Sequence, residues 1–169
     1  WLTTDKTRMK WVANTIKDIA SSGNTLILVD RISAGEILEG QIDDAVFVSG
    51  STKNTDRKEQ YDEISTATNK VIIATYGVAA VGINIPRIFN LVLIEPGKSF
   101  VRVIQSIGRG IRKAEDKDSV QIWDITSSCK FAKRHLGARK KFYKEANYPY
   151  KIEKIDYDNK FISNQSKTF

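Results

Sequence analysis

The sequence predicts an α/β fold, a mainly parallel β-sheet flanked by helices on both faces to make three layers. Three observations carry this. Short runs rich in Val, Ile and Leu recur at 25–29, 45–48, 70–74, 91–94 and 120–125. Several are continuous rather than alternating, as strands buried on both faces should be. Helical patterns separate most of them, and strands alternating with helices build parallel crossover units.

Each element has its own warrant. In 5–21, Met9, Val12, Ile16 and Ile19 repeat every three or four residues and form one apolar stripe. Thr4 is the expected cap, and Gly23 suits the position just past the end. The run at 25–29 ends in Asp30. A short helix is expected at 33–40, and the strand at 45–48 leads into Ser49-Gly50-Ser51-Thr52. A polar helix follows at 55–66, capped by Asn54 or Thr55. The strand at 70–74 is followed by Thr75, and the one at 91–94 by Glu95-Pro96-Gly97-Lys98-Ser99. Residues 99–107 read as helix. Trp123 reads as core in the strand at 120–125, and Trp11 falls off its helix's main stripe, which suggests that it faces a domain outside this sequence. A strongly basic helix is expected at 130–146, then a last strand or docked arm at 148–157. The expected division is one domain over 1–157 and a polar tail over 158–169.

Composition narrows the function classes. The 169 residues suffice for one domain with a sizeable core, and 41% are hydrophobic, so the chain is globular. A formal net charge of +7 favours an anionic partner. A single cysteine, Cys129, excludes an internal disulfide and fits a reducing compartment, so a cytoplasmic location is expected. One His and one Cys cannot build a zinc site of the usual kind. No apolar run approaches a membrane span and no signal peptide is evident. The chain starts at Trp1 rather than at an initiator Met, and is expected to be a piece of something longer.

The chemistry concentrates in Gln105-Ser106-Ile107-Gly108-Arg109-Gly110-Ile111-Arg112. Two arginines three residues apart share one side of a helical turn, and taken alone such a pair is more often a solvated basic turn at a helix end. Their guanidiniums keep their charge and match phosphate oxygens bidentately, while Gly108 and Gly110 clear space beside the first. Parallel sheets collect ligands at the carboxyl ends of their strands. Here those ends carry Asp30-Arg31, residues 49–52, Thr75 and residues 95–99. Gly97-Lys98-Ser99 resembles the end of a P-loop, but the first glycine of that motif would fall on Val92 inside a strand, so no phosphate cradle forms there.

Thr75, then Gly82-Ile83-Asn84-Ile85-Pro86, then Gln105-x-x-Gly108-Arg109-x-x-Arg112 is a specific ordering. It resembles motifs V and VI of superfamily 2 helicases, in the second of their two RecA-like motor domains. The resemblance spans about 24–127, with residues 26–30 similar to motif IV and residues 48–52 with Arg57 similar to the next segment. It implies a RecA-like fold and an ATP-dependent nucleic-acid motor. It implies that Arg109 and Arg112 are arginine fingers for ATP, with Gln105 linking nucleotide state to the nucleic acid. Gly82, Asn84 and Gly108 would approach the nucleotide. The family often has Asp where Asn84 stands, and Asn84 accepts without adding charge; read from the residues alone, Asn84-x-Pro86 is nearly as well a structural turn. Thr75 would contact the nucleic-acid backbone; read from the residues alone, it is equally a helix cap. Arg31 and Gly50, Ser51, Thr52 and Lys53 are further DNA candidates. Within the family the likeness is greatest to DNA helicases of phage recombination, which implies a DNA partner with branched intermediates. ATP and Mg²⁺ would be bound mainly by an N-terminal motor domain outside this sequence, leaving this piece inactive alone. The alternative is a nucleic-acid binding module with the same fold and no motor activity.

Overall fold

The computed structural model describes residues 5–81, 87–97, 103–105 and 120–156. Helix α1 (Lys6–Ala20) leads to β1 (Thr25–Val29), α2 (Ile32–Gln41), β2 (Val46–Val48), α3 (Asn54–Thr66), β3 (Val71–Thr75), α4 (Tyr76–Ala80), β4 (Asn90–Ile94), β5 (Gln121–Ile125) and α5 (Lys130–Glu145). The described strands form one sheet in the order β2-β3-β1-β4-β5. Every pairing is parallel, with Val29 opposite Thr75, Thr25 opposite Asn90, Val46 opposite Ile72 and Asn90 opposite Gln121. All carboxyl ends therefore share one edge. The α/β expectation holds, and each strand lies within a residue of its expected place.

The sheet has two buried faces because its side chains alternate. Leu26, Leu28, Ile72, Ala74, Leu91 and Leu93 enter one core, with α4, Val103, Ile104 and Tyr143 of α5. Ile27, Val29, Val71, Ile73, Val92, Ile94 and Trp123 enter the other, against the apolar stripe of α1 and against Ala34 and Leu38 of α2. β1 is the central strand and all five of its residues are buried.

The amino edge is closed by two buried asparagines. Asn24 donates to the Ala67 carbonyl and accepts from the Lys70 amide, each at 2.8 Å. Asn90 donates to Ser22 Oγ at 3.0 Å and accepts from the Trp123 indole at 3.2 Å. Trp123 is thus in the core, as expected.

Several details differ from expectation. The cap of α1 is Asp5, whose carboxylate accepts from the Arg8 amide at 2.7 Å; Thr4 lies outside the described residues. Helix α3 starts at Asn54 itself, and its Arg57 amide donates to the Lys53 carbonyl. Trp11 is half-buried and packs at the margin of the α1 core. Of the expected helix at 99–107, residues 103–105 are helical and the rest lie outside the described residues, as do 82–86 and 106–119. Residues 148–156 form no strand. Tyr148 and Tyr150 dock beside Phe142 and Tyr143, with ring centroids about 6 Å apart.

Candidate functional site

The carboxyl edge gathers the described candidates. The connection from β1 leaves toward β2 and that from β4 toward β5, in opposite directions, which is where open α/β sheets form a binding crevice. Arg31 follows β1, is exposed, and makes no side-chain cap bond to α2.

The loop after β2 is a built turn. The Thr52 hydroxyl accepts from the Ser49 amide at 3.0 Å, and the Thr52 amide donates to the Ser49 carbonyl at 3.1 Å. Ser49 and Ser51 share a hydroxyl hydrogen bond at 2.7 Å. Arg57 then closes the loop, its Nη2 donating to the carbonyls of Ser49 and Gly50 at 3.2 and 3.0 Å. Thr52 and Ser51 therefore shape the turn, while Gly50 and Lys53 stay exposed.

Thr75 caps α4: its Oγ1 accepts from the Val78 amide at 3.3 Å. Capping uses an oxygen lone pair and leaves the hydroxyl proton available as a donor, so the cap and a phosphate contact are compatible. Gln105 is exposed, beside the buried Val103 and Ile104 that fix its turn to the core. Arg109, Arg112, Gly108, Gly82 and Asn84 lie outside the described residues. The structure thus brings Arg31, residues 50–53 and Thr75 to one edge.

Beneath that edge lies a charged network that reading the sequence did not reveal. Glu95 has a φ of 46°, an uncommon backbone for a non-glycine residue, and its carboxylate pairs with Arg8 of α1 at 2.5 Å. Burial pushes the Glu95 carboxyl above its ordinary value, against the pull of Arg8. Arg139 is 2% exposed and grips Asp124 bidentately, Nε to Oδ2 at 2.6 Å and Nη2 to Oδ1 at 3.0 Å. Its Nη1 donates to the Pro96 carbonyl at 2.7 Å, and Tyr143 donates to Asp124 at 3.0 Å. The Tyr143 phenol is pushed far up by burial and by Asp124. Arg139 therefore belongs to the interior and not to the basic face of its helix. The available signal was Asp124 itself, an acid inside an apolar strand that requires a cation when buried. Tyr76 donates to the Ile94 carbonyl at 3.1 Å, with its phenol likewise pushed up, chiefly by burial. Among the described residues no cluster of His, Cys, Asp and Glu fits a metal ion. No helix among them is long and apolar enough to cross a membrane.

A five-stranded parallel sheet in this order, with helices on both faces, is a RecA-like α/β frame. The family model for the helicase conserved C-terminal domain matches residues 7–114, more than half of the chain, and the chain belongs to that family. It is similar to the ATP-dependent DNA helicase UvsW of Enterobacteria phage T4, 29% identical over 146 residues, which cover 83% of this chain and 29% of that protein. It is also 33% identical over 104 residues to a putative helicase of a Sulfolobus islandicus filamentous virus, covering 59% of this chain and 18% of that one. The chain spans less than a third of the length of these curated relatives. The crystal structure of T4 UvsW superposes with a TM-score of 0.71 at 23% identity, over 85% of this chain and 33% of that one. The C-terminal domain of the DEAD-box protein Dbp5 gives 0.59 at 20% identity, over 79% of this chain and 78% of that one. The fold is thus that of the C-terminal RecA-like domain of superfamily 2 helicases, similar to UvsW.

Proposed function

We propose that this chain is the second motor domain of an ATP-dependent DNA helicase or translocase acting on branched or recombination intermediates. ATP with Mg²⁺ would sit mainly on a first motor domain, facing this one across a cleft. Arg109 and Arg112 would reach the γ-phosphate there, where a guanidinium offsets charge developing in transfer and typically adds about 10³–10⁵ in rate. Gln105 would relay nucleotide state to the nucleic-acid side, and Gly82, Asn84 and Gly108 would approach the nucleotide. The Thr75 hydroxyl, with Arg31 and the Gly50–Lys53 loop, would hold the DNA backbone. The observation that carries this reading is the arginine pair in a helicase C-terminal domain whose sequence has no P-loop: such a pair needs its polyphosphate from elsewhere. The likeness to a phage DNA helicase supports DNA as the partner.

ATP turnover by the natural full-length protein, with branched DNA, single-stranded DNA, RNA or none, tests this against the 169-residue chain alone. The expected result is DNA-stimulated turnover by the full-length protein and none by the chain. Full-rate turnover by the chain would refute the shared cleft. DNA binding without turnover by the full-length protein would instead mark a binding module without motor activity.

A further inference from the structure

We infer that the outward stripe of α5 is a separate DNA-backbone contact, distinct from the carboxyl-edge residues named above. At 3.6 residues per turn, Lys130, Lys133, Arg134, Lys140, Lys141 and Lys144 fall within about 120° of one another on the helix. Five of them are exposed and Lys140 is half-buried. The helix runs about 24 Å, so the stripe presents a cation roughly every 4 Å, dense enough to follow a phosphate backbone. Its sole acid, Glu145, lies beside the stripe's end, 3.8 Å from Lys141.

Two further features set this stripe apart from an ordinary solvated face. Gly137 sits in its middle, and a Cβ built there meets nothing within 4 Å. A glycine inside an exposed helix costs stability relative to alanine, and no packing requires it here. Its use is to let a ligand backbone come close to the helix. The opposite face is also held firmly: Ala132, Arg139 and Tyr143 are buried, with Arg139 tied to Asp124 and to the Pro96 carbonyl. These bonds fix the roll of the helix, so the cations are presented in one direction without further ordering on binding. Through Arg139 and Asp124 the helix is tied to β5, the edge strand opposite β2 and two strands beyond β1. A DNA bound there would be gripped at a second place.

The test is the salt dependence of affinity of the full-length protein for a fluorescein-labelled duplex, and for the same sequence as a single strand, read by anisotropy. Substituting Lys133, Lys140, Lys141 and Lys144 by Gln should reduce the slope of log K against log salt by about 3–4 for duplex and about 3 for single strand. The matched control changes Lys6, Lys10, Lys17 and Lys58 to Gln, exposed lysines on α1 and α3 with the same charge loss; its slope should move by less than about 1. An unchanged slope in the stripe variant overturns the inference, as does an equal change in the control, which would reduce the effect to net charge. Gly137→Gln should weaken binding severalfold while the thermal midpoint holds or rises; undiminished affinity would overturn the close approach. These readouts need no ATP turnover, so they stand or fall separately from the arginine fingers.

Discussion

Asn90→Ala should be among the most damaging polar substitutions in this domain. Asn90 is 2% exposed at the start of β4, between Thr25 of β1 and Gln121 of β5. Its amide donates to Ser22 Oγ at 3.0 Å and to the Ile19 carbonyl at 3.3 Å, and its carbonyl oxygen accepts from Trp123 Nε1 at 3.2 Å. Those three bonds tie the end of α1, the turn before β1, and β5 to one side chain. At about 1 kcal/mol net for each bond, the loss is about 3 kcal/mol, with a small addition for the cavity. That is a large share of the roughly 5–15 kcal/mol stability of an ordinary domain. The thermal midpoint should fall by about 6–12 °C, at 2–4 °C per kcal/mol for a chain of this size. Urea titration followed by circular dichroism supplies the free energy, and exposed Gln121→Ala serves as the control, expected within about 0.5 kcal/mol. Adding Trp123→Phe should reveal a coupling of about 1 kcal/mol with Asn90. A loss below about 1 kcal/mol for Asn90→Ala, with no coupling, would show that the amino-edge network is incidental.

Three other outcomes follow from particular contacts. A Cβ on Gly35 would lie 2.4–2.5 Å from the ring of Phe47, so Gly35→Ala should cost about 1–3 kcal/mol in urea titration, and Phe47→Leu should recover part of it. Because burial raises the Glu95 pKa above its ordinary 4.5, the folded state takes up that proton more readily than the unfolded chain. The stability of wild type relative to Glu95→Gln should therefore grow as pH falls from 7 toward 4.5, and fall again as pH rises; a difference that shrinks on acidification would reverse the sign. The exposed thiol of Cys129 is lowered by a hydrogen bond from Ser127 and by the Ala132 amide at the start of α5. Alkylation by iodoacetamide near pH 7.5 (a value of about one unit below an ordinary thiol pKa) should be faster than for a free cysteine, and slower again in Ser127→Ala.

Much of the fold was legible because burial on both faces leaves a plain mark. β1 and β4 are fully buried, and their runs of Leu, Ile and Val stand out without any partner being known. The strand order was not legible, since β1 pairs with β3 and β4 through contacts between elements distant in the chain. The same limit hid the charged network: Arg8 and Glu95 are 87 residues apart and Arg139 and Pro96 are 43 apart. Arg139 looks like its neighbouring lysines in sequence, and only the helix's roll against β5 takes it inside. The cap of α1 was read one residue early, at Thr4; a carboxylate caps as well as a hydroxyl, and it is Asp5 that accepts from the Arg8 amide. At the candidate site, Thr75 was legible down to its two alternatives, and its capping bond is one of them. The turn at 49–52 was legible as a polar loop, though not that Arg57 closes it.

The most direct measurement is ATP turnover by the natural full-length protein on branched DNA, wild type against Arg109→Ala. The account predicts a loss of roughly 10³ or more in turnover with nucleotide binding largely kept, since a finger acts on charge that develops only in transfer. Turnover within a few-fold of wild type would contradict it, leaving Arg109 as surface charge and favouring a binding module.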